Sequence, residues 1–311
     1  MKQGRERDAE LADGRIDYFD RYAGVVKTEK IYGEAYLRWA YETVPGRLML
    51  AAVVKRAFFS RWYGWRMDKS STRELIAPFI DQYDLDAGEF VDKVENFESF
   101  NAFFSRKLKP QARPIASGEG EVVFPADGRH LGFADVSEME RIYCKGQTLS
   151  LVDLLDDEDL ASRYEKGSLV ISRLCPVDYH RFHFSTAGKP GAWRLINGPL
   201  YSVSPIALRR NVGILTENKR VVTKLQTEDF GQVLILEIGA TNVGSIHQTY
   251  AADSEVVKGE EKGYFSFGGS MTMQLFEAGR VKLDEDLVEH TQQGRELYAR
   301  MGDRMGMKAG S

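Results

Sequence analysis

Cysteine is scarce, with Cys144 and Cys175 the only two in 311 residues. A pair so widely spaced makes no disulfide framework and no metal-ligand spacing, so a reducing compartment is the default expectation. Long apolar runs are missing as well. Near the N-terminus the longest is Leu48 to Val54, far short of the ~20 residues that cross a bilayer core. The opening stretch MKQGRERDAELADGRIDYFD is polar and charged, which excludes a secretory signal within it. There is no excess of positive charge: a net charge of −4 and a pI near 5.9 leave no global footprint for nucleic acid. Internal repeats and low-complexity tracts are absent too. These absences predict a cytoplasmic protein whose membrane contact, if any, is peripheral.

What is present is the composition of a folded chain, 43% apolar and 28% charged, and its length suits one large domain or two modest ones. The first hundred residues suggest helix. Residues 31–67 are rich in Ala, Leu, Arg, Tyr and Trp, broken at Pro45-Gly46, and a second helical stretch runs from about Ser71 to Tyr83, with Ser70, Ser71 or Thr72 as its cap. Within the first stretch Lys55, Arg56, Arg61 and Arg66 interleave with Phe58, Phe59, Trp62, Tyr63 and Trp65. Amphipathic rings beside cations suit the headgroup level of an anionic membrane, and they equally suit an ordinary helix packing its rings on a core. After Pro110 short strand-like runs take over, at Glu121–Phe124, Ser168–Ile171, Val221–Leu225 and Val233–Ile238, divided by Gly, Pro and Asn. The expected fold is α+β: a helical region over residues 1–105, whose membrane association the pattern alone leaves open, then a β-rich catalytic domain over 106–311 with an antiparallel or mixed sheet and few helices. Ser150–Leu155 is one short acidic helix, Leu283 to Met301 looks helical and polar, and the tail from Lys308 is expected to be loose.

Three segments carry candidate chemistry. Phe124-Pro125-Ala126-Asp127-Gly128 puts an acid at a turn after a strand, which by itself needs no catalytic explanation. Asp178-Tyr179-His180-Arg181-Phe182-His183 holds two of only five histidines. The pair invites a metal hypothesis, but no third ligand cluster accompanies it. Acid–base work is the better reading, because imidazole alone titrates near neutral pH unperturbed. The third segment, residues 258–272, ends in Gly268-Gly269-Ser270-Met271-Thr272. It matches neither the G-x-x-x-x-G-K-[ST] phosphate loop nor the G-x-S-x-G nucleophile elbow.

At this third segment the chain resembles the phosphatidylserine decarboxylases, over roughly residues 45 to 285. The likeness rests on Ser99-Phe100-Asn101-Ala102-Phe103-Phe104-Ser105-Arg106-Lys107-Leu108 with Arg113-Pro114-Ile115, the Pro-Ala-Asp-Gly turn and the Asp-Tyr-His-Arg-Phe-His run. It continues through Gly198-Pro199-Leu200-Tyr201-Ser202-Val203, Asn218-Lys219-Arg220-Val221-Val222 and residues 240–246. Two departures stand out: the family's Leu-Gly-Ser-Thr is Gly-Gly-Ser-Met-Thr here, and Lys219 stands where Glu is more usual.

The resemblance implies a self-cleaving enzyme. The Gly269–Ser270 bond would break and Ser270 would become a pyruvoyl group, leaving chains 1–269 and 270–311. It implies that His183 is the base that activates Ser270, with Asp127 supporting it, in a Ser-His-Asp arrangement. It implies that the pyruvoyl ketone takes up the serine amine of the lipid as a Schiff base and acts as electron sink, with His180 as the decarboxylation acid. A lipid substrate in turn favours the membrane reading of Phe58, Phe59, Trp62 and Trp65, on the cytoplasmic face of the cell membrane. The expected partners are phosphatidylserine, the anionic membrane surface and the two cleavage chains, with a homodimer left open and neither nucleic acid nor metal expected. Two rivals remain, a soluble pyruvoyl-dependent decarboxylase of a free amino acid and a non-enzymatic membrane adaptor keeping the fold.

Overall fold

Alternation of apolar side chains builds the centre of the molecule. In residues 270–276, Met271, Met273 and Leu275 fall in one buried cluster, while Ser270, Thr272 and Gln274 alternate with them and face the other way. In residues 232–239, Leu234, Leu236 and Ile238 join that same cluster, and Val233 and Ile235 join a second. A strand with apolar partners on both sides belongs inside a sheet covered on both faces.

The computed structural model describes residues 15–31, 33–49, 64–139, 149–208, 210–240, 246–268 and 270–310. Within these the strands are β1 (Asp17–Asp20), β2 (Val25–Thr28), β3 (Glu121–Val123), β4 (Gly128–Phe133), β5 (Ser168–Leu174), β6 (Arg181–His183), β7 (Lys189–Pro190) and β8 (Arg194–Ile196). They continue as β9 (Arg220–Gln226), β10 (Gln232–Gly239), β11 (Ile246–Gln248), β12 (Glu261–Phe265), β13 (Ser270–Phe276), β14 (Val281–Leu283), β15 (Glu296–Ala299) and β16 (Arg304–Lys308). The main sheet has the order β2-β1-β15-β4-β5-β13-β10-β9-β7, with β8 also on β9. Its pairings are antiparallel except for β1 with β15. Two small sheets, β11-β12-β6 and β14-β16-β3, complete the β-structure. The fold is therefore α+β and rich in antiparallel sheet.

The N-terminal region is only partly helical. The hairpin β1–β2 forms the edge of the main sheet, and only after it come α1 (Glu34–Glu42), α2 (Val44–Met49) and a helical turn at residues 64–67. The break expected at Pro45-Gly46 falls at Thr43, which caps α1, so that Pro45 sits in the first turn of α2, where its missing N–H costs nothing. The stretch expected to be one helix from Ser71 is a 3-10 segment, Ser70–Leu75, followed by α3 (Ile76–Tyr83). No side chain caps either piece. Thr72 instead donates its hydroxyl to the carbonyls of Met67 and Lys69, and accepts the amide of Phe100 at the start of α4 (Phe100–Phe104).

Two expectations near the C-terminus are corrected. The helix stops at Gln292, because Gly294 turns the chain at φ +69° and residues 296–299 become β15, inside the main sheet. The tail is tied down: Lys308 belongs to β16 and donates its amide to Gly120, and the Ala309 amide bonds Arg280. Buried Arg173 on β5 clamps Glu296 of β15 and Glu29 just beyond β2. One guanidinium thus ties β5 to β15 and to the residue that follows β2, beside the position where β13 begins.

Candidate active site

β13 starts at Ser270, in the middle of the main sheet, opposite Leu174 of β5 and Gly239 of β10. Ser270 is fully buried, so its hydroxyl needs a partner. That partner is His180, whose Nδ1 lies 3.2 Å from Oγ. A tight turn after β5 delivers His180. The Asp178 amide closes it on the Cys175 carbonyl at 2.8 Å, and Pro176 supplies the preset φ of the second position. The Asp178 carboxylate accepts the Cys175 amide at 2.7 Å and both contacts of Arg129 Nη1, at 2.7 and 2.6 Å. The Cys175 carbonyl also accepts from His180 Nε2 at 2.8 Å. A carbonyl only accepts, so Nε2 carries the proton and Nδ1 is left to accept the Ser270 hydroxyl. Phe104 stacks on the imidazole, centroids 3.8 Å apart and planes at 26°.

His183 lies on β6 opposite Glu261, its amide bonded to Pro125 at 2.8 Å and its buried Nδ1 without a hydrogen-bond partner among the described residues. Asp127 follows β3 in the expected turn. Gly128 is required there by close approach, since a Cβ would stand 2.5 Å from the Arg173 carbonyl. The Asp127 carboxylate is taken by Arg113, through Nε at 2.9 Å and Nη2 at 2.6 Å, and by the Met301 amide at 2.9 Å. The structure therefore sets Ser270 against His180, which lies outside the expected triad of Ser270, His183 and Asp127. Among the described residues no hydrogen bond joins His183 to Ser270 or to Asp127; Asp127 acts on His183 through its charge.

The two imidazoles differ electrostatically. Burial pushes His180 down to about 3, and the nearby Arg106 charge pushes the same way, against the Cys175 carbonyl. Burial also lowers His183, to about 4, but the charges of Glu261 and Asp127 oppose it. Both rings are neutral at neutral pH; at His183 the charges of Glu261 and Asp127 favour an imidazolium and that of Arg181 opposes it. Contact with the hydroxyl thus belongs to one histidine and support for a positive charge to the other.

These shifts predict a pH dependence of stability. His130, buried between Ser172 and the Ala299 carbonyl, is likewise pushed down by burial, to about 3. A histidine lowered in the folded state binds its proton first in the unfolded chain, so its stabilisation is present above pH ~6.5 and is lost as pH falls toward the folded value. With three such groups the Ser270→Ala chain should lose up to about 4 kcal/mol per pH unit near pH 5. Thermal unfolding between pH 7 and 4 measures this; an unfolding temperature that stays flat over that range would contradict neutral buried rings.

Gly269 lies outside the described residues, as do Phe58, Phe59 and Trp62. Trp65 is 59% exposed, with the Lys69 ammonium 3.8 Å over its ring. Among the described residues no group of three or more His, Cys, Asp and Glu side chains converges to hold a metal ion. Sequence reasoning missed Arg113, Arg129, Phe104 and the Cys175 carbonyl as parts of the site. Arg113 and Phe104 at least fall in segments that carry the family likeness, whereas a backbone carbonyl leaves no trace in a sequence.

The family model for phosphatidylserine decarboxylase matches residues 100–307. A phosphatidylserine decarboxylase proenzyme of Fusobacterium nucleatum is 44% identical over 292 residues, 94% of this chain and 97% of that protein. The proteins so named in Chlamydia muridarum and Desulfitobacterium hafniense are 45% and 41% identical, each covering 94% of this chain and 98% of their own length. The matched range spans the turn that holds Asp127, the run that holds both histidines and the strand that opens with Ser270, and on the strength of these matches the chain belongs to the phosphatidylserine decarboxylase family.

Proposed function

We propose that the chain is a proenzyme that cuts itself between Gly269 and Ser270 and then decarboxylates phosphatidylserine to phosphatidylethanolamine. The observation that carries this reading is the buried contact between Ser270 Oγ and His180 Nδ1, directly after a glycine pair. Gly268 has φ +139°, a conformation open to glycine and strained for other residues. In self-cleavage Oγ attacks the Gly269 carbonyl and the Gly269–Ser270 amide gives way to an ester. His183 is the proposed acceptor of the hydroxyl proton, its positive charge supported by Asp127 and Glu261, after Oγ swings away from His180. Loss of the Ser270 Cα proton then expels the Gly269 carboxylate together with Oγ, and water releases ammonia to leave the pyruvoyl end.

The buried, polar, glycine-preceded position of Ser270 fits such a group. A pyruvoyl supplies a ketone that condenses with a primary amine and accepts the electron pair freed when carbon dioxide departs. His180 Nδ1, which touches Ser270 Oγ in the uncut chain, is the proposed carrier of the proton that would replace the carboxylate. The two chains stay together because β13 pairs along its length with β5 on one side and β10 on the other, so residues 270–311 contribute a central strand.

The region of residues 1–105 is the proposed membrane-associating part, on the cytoplasmic face. Tyr36, Trp39, Val44, Met49 and Trp65 are all exposed there, and such a run of large apolar groups favours a lipid surface. Among the described residues no helix is long and apolar enough to cross a membrane. Carbon dioxide release from phosphatidylserine vesicles, set against free serine, tests the substrate. Lipid should be turned over and free serine not, while Trp65→Ala should weaken co-sedimentation with anionic vesicles about 10-fold, on the scale of one buried aromatic ring. Turnover of free serine by a chain that ignores vesicles would replace this reading with a soluble amino-acid decarboxylase.

A further inference from the structure

The segment leading into Ser270 is held by one anchor per residue until the glycine pair. The Phe265 amide donates to the His180 carbonyl at 3.0 Å. Ser266 Oγ meets His247 Nε2 at 2.9 Å. The Phe267 amide donates to Asn101 Oδ1 at 2.8 Å. In the sequence Gly268 and Gly269 follow Phe267 and precede the nucleophile, so the Asn101 carboxamide holds the chain three residues ahead of Ser270.

The orientation of that carboxamide is fixed by its partners. A backbone N–H can only donate, so it selects Oδ1; the Asp68 carboxylate can only accept, and it takes Nδ2 at 2.6 Å. α4, which carries Asn101, is itself set by Ser99, whose hydroxyl accepts the Ala102 amide at 3.2 Å. The same short helix packs Phe100 and Phe104 edge-on against the Phe267 ring, at 5.2 and 4.8 Å, and stacks Phe104 on His180. One element therefore holds both the peptide to be cut and the imidazole that touches the nucleophile. Asp68, on the far side of the carboxamide, follows the exposed Trp65 by three residues.

We infer that Asn101 is a positioning residue for self-cleavage, its carboxamide spanning from Asp68 to the Phe267 amide so that the Gly269 carbonyl is presented to Ser270. This rests on the self-cleaving reading of the chain. Once the bond is cut the alignment has done its work, and Asn101 matters much less to turnover.

Cell-free synthesis with a pulse of label follows the appearance of fragment 270–311 in wild type, Asn101→Ala, Asn101→Asp, Asp68→Asn and the double variant Asp68→Asn/Asn101→Asp. Asn101→Ala and Asn101→Asp are expected to slow cleavage about 10- to 100-fold, the scale of a misplacement near 1 Å. In Asn101→Asp a carboxylate still faces the Phe267 amide but opposes Asp68. The double variant restores a donor on one side and an acceptor on the other, and should recover most of the wild-type rate. Asp68→Asn alone keeps an acceptor for Nδ2 and should cleave nearly as wild type does. Decarboxylation per pyruvoyl group in the cleaved fraction should be close to wild type throughout, and in the Ser270→Ala background Asn101→Asp and the double variant should unfold at similar temperatures. Wild-type cleavage by Asn101→Ala, no recovery in the double variant, or turnover per pyruvoyl falling as far as the cleavage rate would overturn the inference. A wild-type chain that never cleaves overturns the self-cleaving reading itself, an outcome distinct from these.

Discussion

Ser270→Ala is expected to remain a single uncut chain of 35.2 kDa with no decarboxylase activity. Alanine has no hydroxyl to attack Gly269, and without the cut no ketone is made to take up the substrate amine. The loss should therefore be total, a fall to the uncatalysed rate, which for enzymes in general means at least about a 10⁶-fold drop. The substitution also leaves His180 Nδ1 buried without its partner, at a cost of about 1–3 kcal/mol. Ser270→Ala should accordingly be folded and somewhat less stable than an uncut chain that keeps the hydroxyl. Denaturing electrophoresis and headspace carbon dioxide measure the two main outcomes. Activity in an uncut Ser270→Ala chain would require a different electron sink and would remove Ser270 from the chemistry.

The two histidines should fail differently. His183→Ala is expected to block cleavage, since the proposed base, whose charge Glu261 and Asp127 favour, is gone; loss of a general base costs about 10²–10⁴-fold. His180→Ala removes the partner of Oγ but leaves that base, so the chain should still cut, more slowly, and then decarboxylate about 10²–10⁴-fold less per pyruvoyl formed. Time courses of fragment appearance, paired with turnover per fragment, separate the two steps. If His180→Ala stays uncut while His183→Ala processes, contact with the hydroxyl outweighs charge support and the roles exchange. Equal behaviour of the two variants would sink the assignment altogether.

Much of the site is legible in the sequence because its parts lie in short, ordered segments. Ser270, with its glycine pair, and the two histidines fall in two such runs. Their meeting is not legible from residues alone: His180 and Ser270 are 90 positions apart, and Asn101 and Phe267 are 166 apart. The Asp127 turn is recognisable as a turn, but its carboxylate is held by Arg113, whose direction no local pattern reveals. The fold shows the same division. The central strands β5, β9 and β10 are visible through their apolar, β-branched runs. The hairpin β1–β2 is not, because it pairs across the whole chain, Tyr18 opposite Glu296. The partner strand β15, Glu296–Ala299, contains good helix formers and is made a strand by its neighbours β1 and β4.

The most direct test of the central claim is the intact mass of the purified wild-type protein. Two chains are expected, residues 1–269 and residues 270–311, the second lighter than its serine-led peptide by one ammonia and resistant to N-terminal sequencing. A single species at 35.2 kDa, or a small fragment that still begins with serine, would contradict the claim that Ser270 is the precursor of the catalytic ketone.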